Sequence, residues 1–283
     1  MSRAIVQDRA APLADRLAAA KAGADGVRVP YRIGIRELVV LRTERLTPTL
    51  IRLTLGGPGI EGFESHVPEE HVRLIFPDED GQLRLPEANG DVLRWPRPFP
   101  VSREYTVRRF DPDAGELDID VAVHRGGVAS DWAESVEPGA RVPVAGPPGG
   151  FVVPRHHDRY LFAGDLTALP QIARYLEQLP STAGGWAIVE VADAGEEIPL
   201  AAPPGFRVRW VHRGELPPGA GDGLARAVRE VDLPREGRTF VWVAGEADAV
   251  RPLRRWVKEL GLPAGDVRIC GYWKRGVADY DDD

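Results

Sequence analysis

One cysteine, Cys270, stands in a chain of 283 residues. A lone thiol excludes an intrachain disulfide framework, and it excludes an iron–sulfur cluster or structural zinc held by the chain's own cysteines. Cys270 itself reads as a small buried hydrophobe at the end of a strand. Lysine is nearly as scarce, with Lys21, Lys258 and Lys274 the only three among 36 basic residues. Arginine therefore carries almost all the positive charge, and a single arginine is a weak signal. Long apolar runs are missing: no stretch approaches the ~20 residues of a membrane span, and the N-terminus has no apolar targeting core. A basic surplus is missing too. The formal charge of −7 argues against a general nucleic-acid binder, while leaving room for a local basic pocket. His66, His71, His156, His157 and His212 fit no metal-ligand triad, so no metal site is expected. Together these deficits predict a cytoplasmic monomer with no nucleic-acid partner and no membrane insertion.

What is present points to a packed chain of two modest domains, with 43% hydrophobic and 28% charged residues. Residues 1–30 are Ala-rich and polar, with Leu13, Leu17 and Ala20 at helical spacing, and read as a helical arm. From Tyr31 the texture changes. "RELVVLRTERLTPTLIRLTL", "HVRLIF", "SREYTVRRF" and "ELDIDVAVH" alternate apolar and polar positions, separated by turns such as "PDEDGQ" and "DPDAGE". Short strands with few helices between them predict an antiparallel barrel over residues 31–154. Residues 155–283 change pattern again: "DRYLFAGD", "GWAIVEVAD", "FRVRWVHRG", "RTFVWVAGE" and "DVRICGYW" read as strands. "LTALPQIARYLEQL", "GDGLARAVREV" and "ADAVRPLRRWVKELG" read as the helices between them, and the alternation predicts a parallel sheet. The terminal "DYDDD" reads as a solvated acidic tail.

The most informative segment is "RPFPVSREYTVRRF". On a strand Arg103 and Tyr105 share one face and Thr106 turns to the other. A cation for phosphate, an aromatic wall and a hydroxyl are what a flavin nucleotide needs, so Arg103, Tyr105, Thr106 and the adjoining Val107 are candidate cofactor contacts. About twenty residues on, "DVAVHRGGVASDWAE" ends a strand at His124, turns at Gly126 and Gly127, and enters a helix with Ser130 or Asp131 as N-cap. Such a turn offers free N–H groups and the positive end of a helix dipole to a diphosphate, through His124, Gly127, Val128, Ala129 and Ser130. Two further strand–glycine–helix junctions sit at the carboxyl edge of the parallel sheet, where open α/β sheets bind ligands. They are "FAGDLTALPQIA", with Asp165 and with Thr167 opening the helix, and "VAGEADAVRPLRR", with Gly245 and Glu246 flanking a nicotinamide or ribose.

The chain resembles the siderophore-interacting protein family, FAD-binding relatives of ferredoxin–NADP reductases. The resemblance runs from about Ile35 to Gly276 and rests on "EHVRLIF", "REYTVRRF", "HRGGVASDWA", "GPPGGF", "AGDLTALPQI", "VWVAGE" and "GYWKRG". It implies a ferredoxin reductase-like fold: an N-terminal FAD-binding barrel, then a nicotinamide-binding α/β domain. It also implies electron flow from NADPH or NADH through FAD to a ferric-siderophore, with Arg103, Tyr105 and Thr106 on the flavin and Thr167 near the isoalloxazine. A basic patch of Arg73, Arg125 and Lys274 would receive the anionic chelate. Leu166 stands where the family's turn usually has glutamate, and Arg73 where it often has lysine. Trp273 is expected to pack near the flavin, and Arg213 is a candidate for an NADPH 2′-phosphate. Two other functions fit the same residues: a general reductase linked to NAD(P)H or ferredoxin, and a flavin-bearing siderophore binder without turnover.

Overall fold

The computed structural model describes residues 11–23, 26–234, 236–278 and 280. The first ten residues of the arm, and the acidic tail apart from Tyr280, lie outside the described residues. The chain forms two compact units, Met1–Lys21 with Val27–Val153, and Ala22–Gly26 with Pro154–Asp283.

In the first unit, helix α1 (Leu13–Ala22) precedes strand β1 (Val27–Pro30), and Leu17 and Ala20 of the helix are buried with Val29, Val67 and Val152. The barrel strands are β2 (Ile35–Thr47), β3 (Leu50–Gly56), β4 (His71–Ile75), β5 (Glu87–Asn89), β6 (Val92–Arg94), β7 (Ser102–Thr106), β8 (Arg109–Asp111) and β9 (Glu116–Ala122). Helix α2 (Val128–Ser135) follows, then β10 (Arg141–Ala145) and β11 (Gly149–Val152). Seven of them form one antiparallel sheet in the order β7-β4-β10-β2-β3-β9-β8. The alternating run at 36–55 forms a hairpin of β2 and β3, because Pro48 cannot donate to the ladder and a two-residue turn at Pro48-Thr49 reverses the chain.

Alternation decides which side chains fill this unit. Along β9, Leu117, Ile119 and Val121 are fully buried against Leu53 and Leu55 of β3 and Val72 and Leu74 of β4. Each such side chain contributes roughly 2 kcal/mol by leaving water. The intervening residues face their own partners: Asp120 takes two hydrogen bonds from Arg52 at 2.7 and 2.8 Å, and Asp118 accepts from the Thr54 hydroxyl at 2.6 Å. Glu116 accepts two from Arg42 at 2.6 and 2.7 Å and one from Arg109 at 2.8 Å.

The second unit starts with β12 (Arg159–Asp165), α3 (Leu169–Gln178), β13 (Gly184–Val191), β14 (Gly205–His212) and α4 (Gly223–Arg229). It continues with β15 (Thr239–Glu246), α5 (Ala247–Val250), α6 (Leu253–Glu259) and β16 (Val267–Trp273). All five strands are parallel, in the order β14-β13-β12-β15-β16. Both faces are covered, as a parallel sheet requires. Leu161, Ala163, Val241 and Val243 meet Leu224 and Val228 of α4 on one side, with Leu253 and Val257 of α6. On the other side Phe162 stacks on Tyr175 of α3 at 4.7 Å and 4°. The single helix expected over 247–261 is two, because Pro252 lacks the N–H that would continue it. β13 and β14 are joined with only a 3₁₀ turn (Ala194–Glu196) between them. Cys270 is half-buried rather than buried, within β16. No helix of the described residues is long and apolar enough to cross a membrane.

Hydrogen bonds from Arg42 first, and from Arg109, pull the Glu116 carboxyl from 4.5 down to about 2. Folding lowers this pKa, so the stabilisation is complete above pH about 4.5 and is lost as the pH falls through about 2. In acid melts over that range the wild type should lose more stability than Glu116→Gln, and the two curves should run parallel above it. Parallel curves throughout would refute the assignment.

Candidate active site

In the first unit the β4–β7 ladder sets the geometry. Its register puts Tyr105 opposite Val72 and Arg103 opposite Leu74, two core residues, while Glu104 lies opposite Arg73 and Thr106 opposite His71. Cross-strand partners share a face. Arg103 and Tyr105 therefore look to the core side, and Thr106 shares the other face with Glu104, Arg73 and His71. The Tyr105 ring is half-buried and packs against the core, and burial pushes its phenol well above the usual range, so it stays neutral. The Val107 side chain is wholly in the core and its N–H donates to the Glu70 carbonyl, so a ligand would meet its backbone only.

The turn after β9 is tighter than expected. Gly126 has φ +75°, and α2 begins at Val128 with Gly127 as its N-cap, not Ser130 or Asp131. The early start comes from this left-handed glycine, which swings the chain into the helix three residues sooner. Ser130 is instead buried in the first turn, where its hydroxyl accepts from the His124 N–H at 3.1 Å. No side chain caps α2, so its first N–H groups keep their donor capacity. A Cβ at Gly127 would lie 2.6 Å from the His124 ring, so the bare backbone lets the turn close. Arg125 and Val128 are exposed and Ala129 is buried. An uncapped, glycine-opened helix start, with a guanidinium, a phenol and a hydroxyl at the end of β7, suits a diphosphate-bearing flavin.

In the second unit one carboxylate gathers the loops at the carboxyl ends of β12, β15 and β16. Asp165 Oδ1 accepts from the Thr167 N–H at 2.9 Å and its hydroxyl at 2.6 Å. Asp165 Oδ2 accepts from the Glu246 N–H at 2.9 Å and from the Trp273 indole N–H at 2.8 Å. Burial pushes this carboxyl up, and the four donors oppose the shift. Gly245, at φ +151°, is needed here, since a Cβ would come within 2.7 Å of Asp165 Oδ2. Thr167 lies in this turn rather than opening the helix, which starts at Leu169 after Ala168. The Glu246 carboxylate caps α5 through the Ala249 N–H at 2.8 Å and accepts from the Arg275 N–H at 3.1 Å, so the protein already uses both oxygens. Lys274 lies 3.4 Å from Asp248. Arg213, just beyond β14, is half-buried, and its guanidinium donates to the Leu216 carbonyl at 3.0 Å.

The first unit therefore assembles Arg73, Arg103, Tyr105, Thr106 and Val107 on one ladder and His124–Ser130 in one turn. The second gathers Asp165, Thr167, Gly245, Glu246 and Lys274 at one sheet edge. Arg73 is not an isolated cation: it is ion-paired to Glu104, donates to Ser102 Oγ at 3.1 Å, and lies over the rings of Trp95 and Phe99. Among the described residues no cluster of histidine, cysteine or carboxylate side chains could hold a metal.

Two family models match the chain, the siderophore-interacting FAD-binding domain over residues 39–151 and the siderophore-interacting protein over residues 157–276. An NADPH-dependent ferric-chelate reductase of Escherichia coli is 34% identical over 250 residues, covering 87% of this chain and 95% of the relative. The chain belongs to the siderophore-interacting protein family. Ferric vibriobactin reductase ViuB of Vibrio cholerae, another relative of this siderophore-interacting protein, is 32% identical over 87% of the chain and 91% of its own length. A solved structure of a siderophore utilization protein from T. fusca superposes with a TM-score of 0.86 at 42% identity, covering 91% of this chain and 99% of that one. Both units thus have counterparts, and the first contains the span matched by the FAD-binding domain model.

Sequence reading of this siderophore-interacting protein missed Glu104, Trp95 and Phe99 as partners of Arg73, and Trp273 as a partner of Asp165. The partners are 31 and 108 residues apart in the two bonds concerned. Only the alternation of Ser102, Glu104 and Thr106 on one strand face hinted at the first. Asp165→Ala strands the N–H donors of Thr167, Glu246 and Trp273; at about 1 kcal/mol or more each, it should cost roughly 3 kcal/mol in thermal or denaturant unfolding. Trp273→Phe should cost much less in that background than in the wild type, and equal costs in a double-mutant cycle would show the bond to be idle.

Proposed function

We propose that this siderophore-interacting protein is an FAD-dependent ferric-siderophore reductase that draws electrons from NADPH and releases iron by reducing chelated Fe(III) to Fe(II). The observation that carries the reading is the pairing, within one unit, of the Arg103–Tyr105–Thr106 strand end with the uncapped helix start at Gly127. That pairing lies inside the span matched to an FAD-binding domain. The near full-length similarity to an NADPH-dependent ferric-chelate reductase adds the donor and the substrate class.

Bound FAD would supply the conversion between a two-electron hydride donor and one-electron ferric iron. The protein's own work is positioning. The Arg103 guanidinium and the N–H groups of Val128 and Ala129 hold phosphate oxygens, the first by charge and the second through the helix dipole. The neutral Tyr105 ring forms a wall, and the Thr106 hydroxyl can donate to a ring nitrogen. Thr167, Gly245 and Glu246 flank the nicotinamide, with Asp165 holding their loops in place. Leu166 gives this edge an apolar side chain where the family's turn usually has an acid. Arg73 and Arg125 of the first unit attract the anionic chelate; no general base is required. The protein would act as a cytoplasmic monomer, with residues 31–154 as its FAD-binding domain and 155–283 as its nicotinamide-binding domain.

Purified protein should be yellow, and Arg103→Ala should weaken FAD binding roughly ten- to hundredfold, the loss of one charge-assisted contact, read by flavin absorbance during dialysis. A colourless protein unable to take up added FAD would end the proposal. Stopped-flow reoxidation with a ferrous trap, using NADPH, NADH or reduced ferredoxin as donor, tests the rest. Ferric chelates should accelerate reoxidation, with NADPH the preferred donor. The Arg73→Ala, Arg125→Ala double variant should raise the KM for anionic chelates roughly tenfold and leave the nicotinamide KM unchanged. Equal effects on both would dismiss this role of the two arginines.

A further inference from the structure

Beside Arg73 lies a group of side chains that binding FAD or nicotinamide does not require. Phe99 is 43% exposed, unusual for a phenylalanine in a well-packed unit. Its ring lies 4.7 Å from that of Trp95, at an interplanar angle of 32°. Trp95 is backed by the buried cluster of Ile75, Leu93 and Ala145, so the pair has a firm floor and an open side. The Arg73 guanidinium carbon is 5.8 Å from the Trp95 ring centroid and 5.4 Å from that of Phe99. The segment that presents the rings, "RWPRPFPV", has prolines at 96, 98 and 100, each with its φ fixed by the ring. Little conformational freedom is left to lose when something settles on Phe99, which is the condition for a preformed binding surface.

We infer that Trp95 and Phe99, with Arg73 at their side, form a shelf that selects ferric-siderophores whose iron ligands are carried on aromatic rings, catecholates and phenolates, over hydroxamate and carboxylate chelates. The inference rests on the ferric-siderophore reading above and narrows its substrate class. Four observations carry it. Glu104 holds the Arg73 guanidinium in an ion pair, which mutes charge as a discriminating signal. The ring faces remain, and they distinguish an aryl ligand from citrate or a simple hydroxamate, which offer no π surface. A guanidinium stacked on aromatic faces also suits a ligand that joins negative oxygens to a ring, because the oxygens meet the cation while the ring meets the rings. Finally, Arg73 lies opposite Glu104 on the strand face of Thr106, which puts it roughly 7 Å along β7 from the residue proposed to hold the flavin edge.

The test uses FAD-loaded protein and redox-silent gallium(III) complexes of 2,3-dihydroxybenzoate, acetohydroxamate and citrate, with affinities read by calorimetry. Wild type should bind the dihydroxybenzoate complex most tightly. Phe99→Leu keeps the apolar bulk and removes the π face; it should lower that affinity about five- to tenfold and leave the other two within about twofold. Phe99→Tyr restores a ring and should bind as the wild type does. The inference is overturned if Phe99→Leu weakens all three complexes alike, if it changes none, if Phe99→Tyr behaves as Phe99→Leu, or if wild type shows no preference for the aryl complex. Failure of the reductase reading would look different: no ferric chelate of any class would speed flavin reoxidation, whichever residue stands at position 99.

Discussion

The antiparallel pairing of β4 with β7 is the constraint from which the first unit's chemistry follows. A strand presents alternate residues to opposite faces, and five consecutive positions here carry Ser102, Arg103, Glu104, Tyr105 and Thr106. Val72 and Leu74 on β4 anchor one face in the core, so the register cannot slip by one residue without driving those two into solvent. That lock gives Tyr105 its half-buried ring and keeps its phenol neutral. It also places Arg73 against Glu104, a pairing that converts an apparent free cation into part of an organised surface with Trp95 and Phe99.

The second unit solves a different problem. Its parallel strands end at one edge, where loops have little to hold them except one another. Asp165 ties three of these ends through four donors, and it tolerates burial because every donor is satisfied. Glycine at 245 makes the approach possible, and Glu246 repeats the device on a smaller scale by capping α5. The carboxylates at this edge thus act as fasteners for the loops. At the opposite end of the strands His157, Asp266 and Arg238 form a similar knot around the buried Asp266, with His157 2.9 Å and Arg238 2.5 Å from it.

Much of this was readable before any coordinates. Alternation marked β9 and β7, and helical spacing marked α3 and α4, because both periods follow from covalent geometry and a need to bury apolar surface. The errors share a cause. The helix start at Gly127, the placement of Thr167 in a turn and the break at Pro252 each depend on where the chain changes direction, which local pattern fixes only to within a few residues. The half-exposure of Cys270 depends on what covers β16, and no neighbouring residue reports that.

By itself the sequence determined the order of barrel and parallel sheet, the strand carrying Arg103, Tyr105 and Thr106, and the glycine turn that opens α2. These are consequences of residues close together in the chain. Tertiary structure alone decided which charges are already partnered and which rings stand clear. Arg73 meets Glu104, and Asp165 meets Trp273, only after the strands have paired, since the energy of such contacts depends on distance in space and not on separation along the chain.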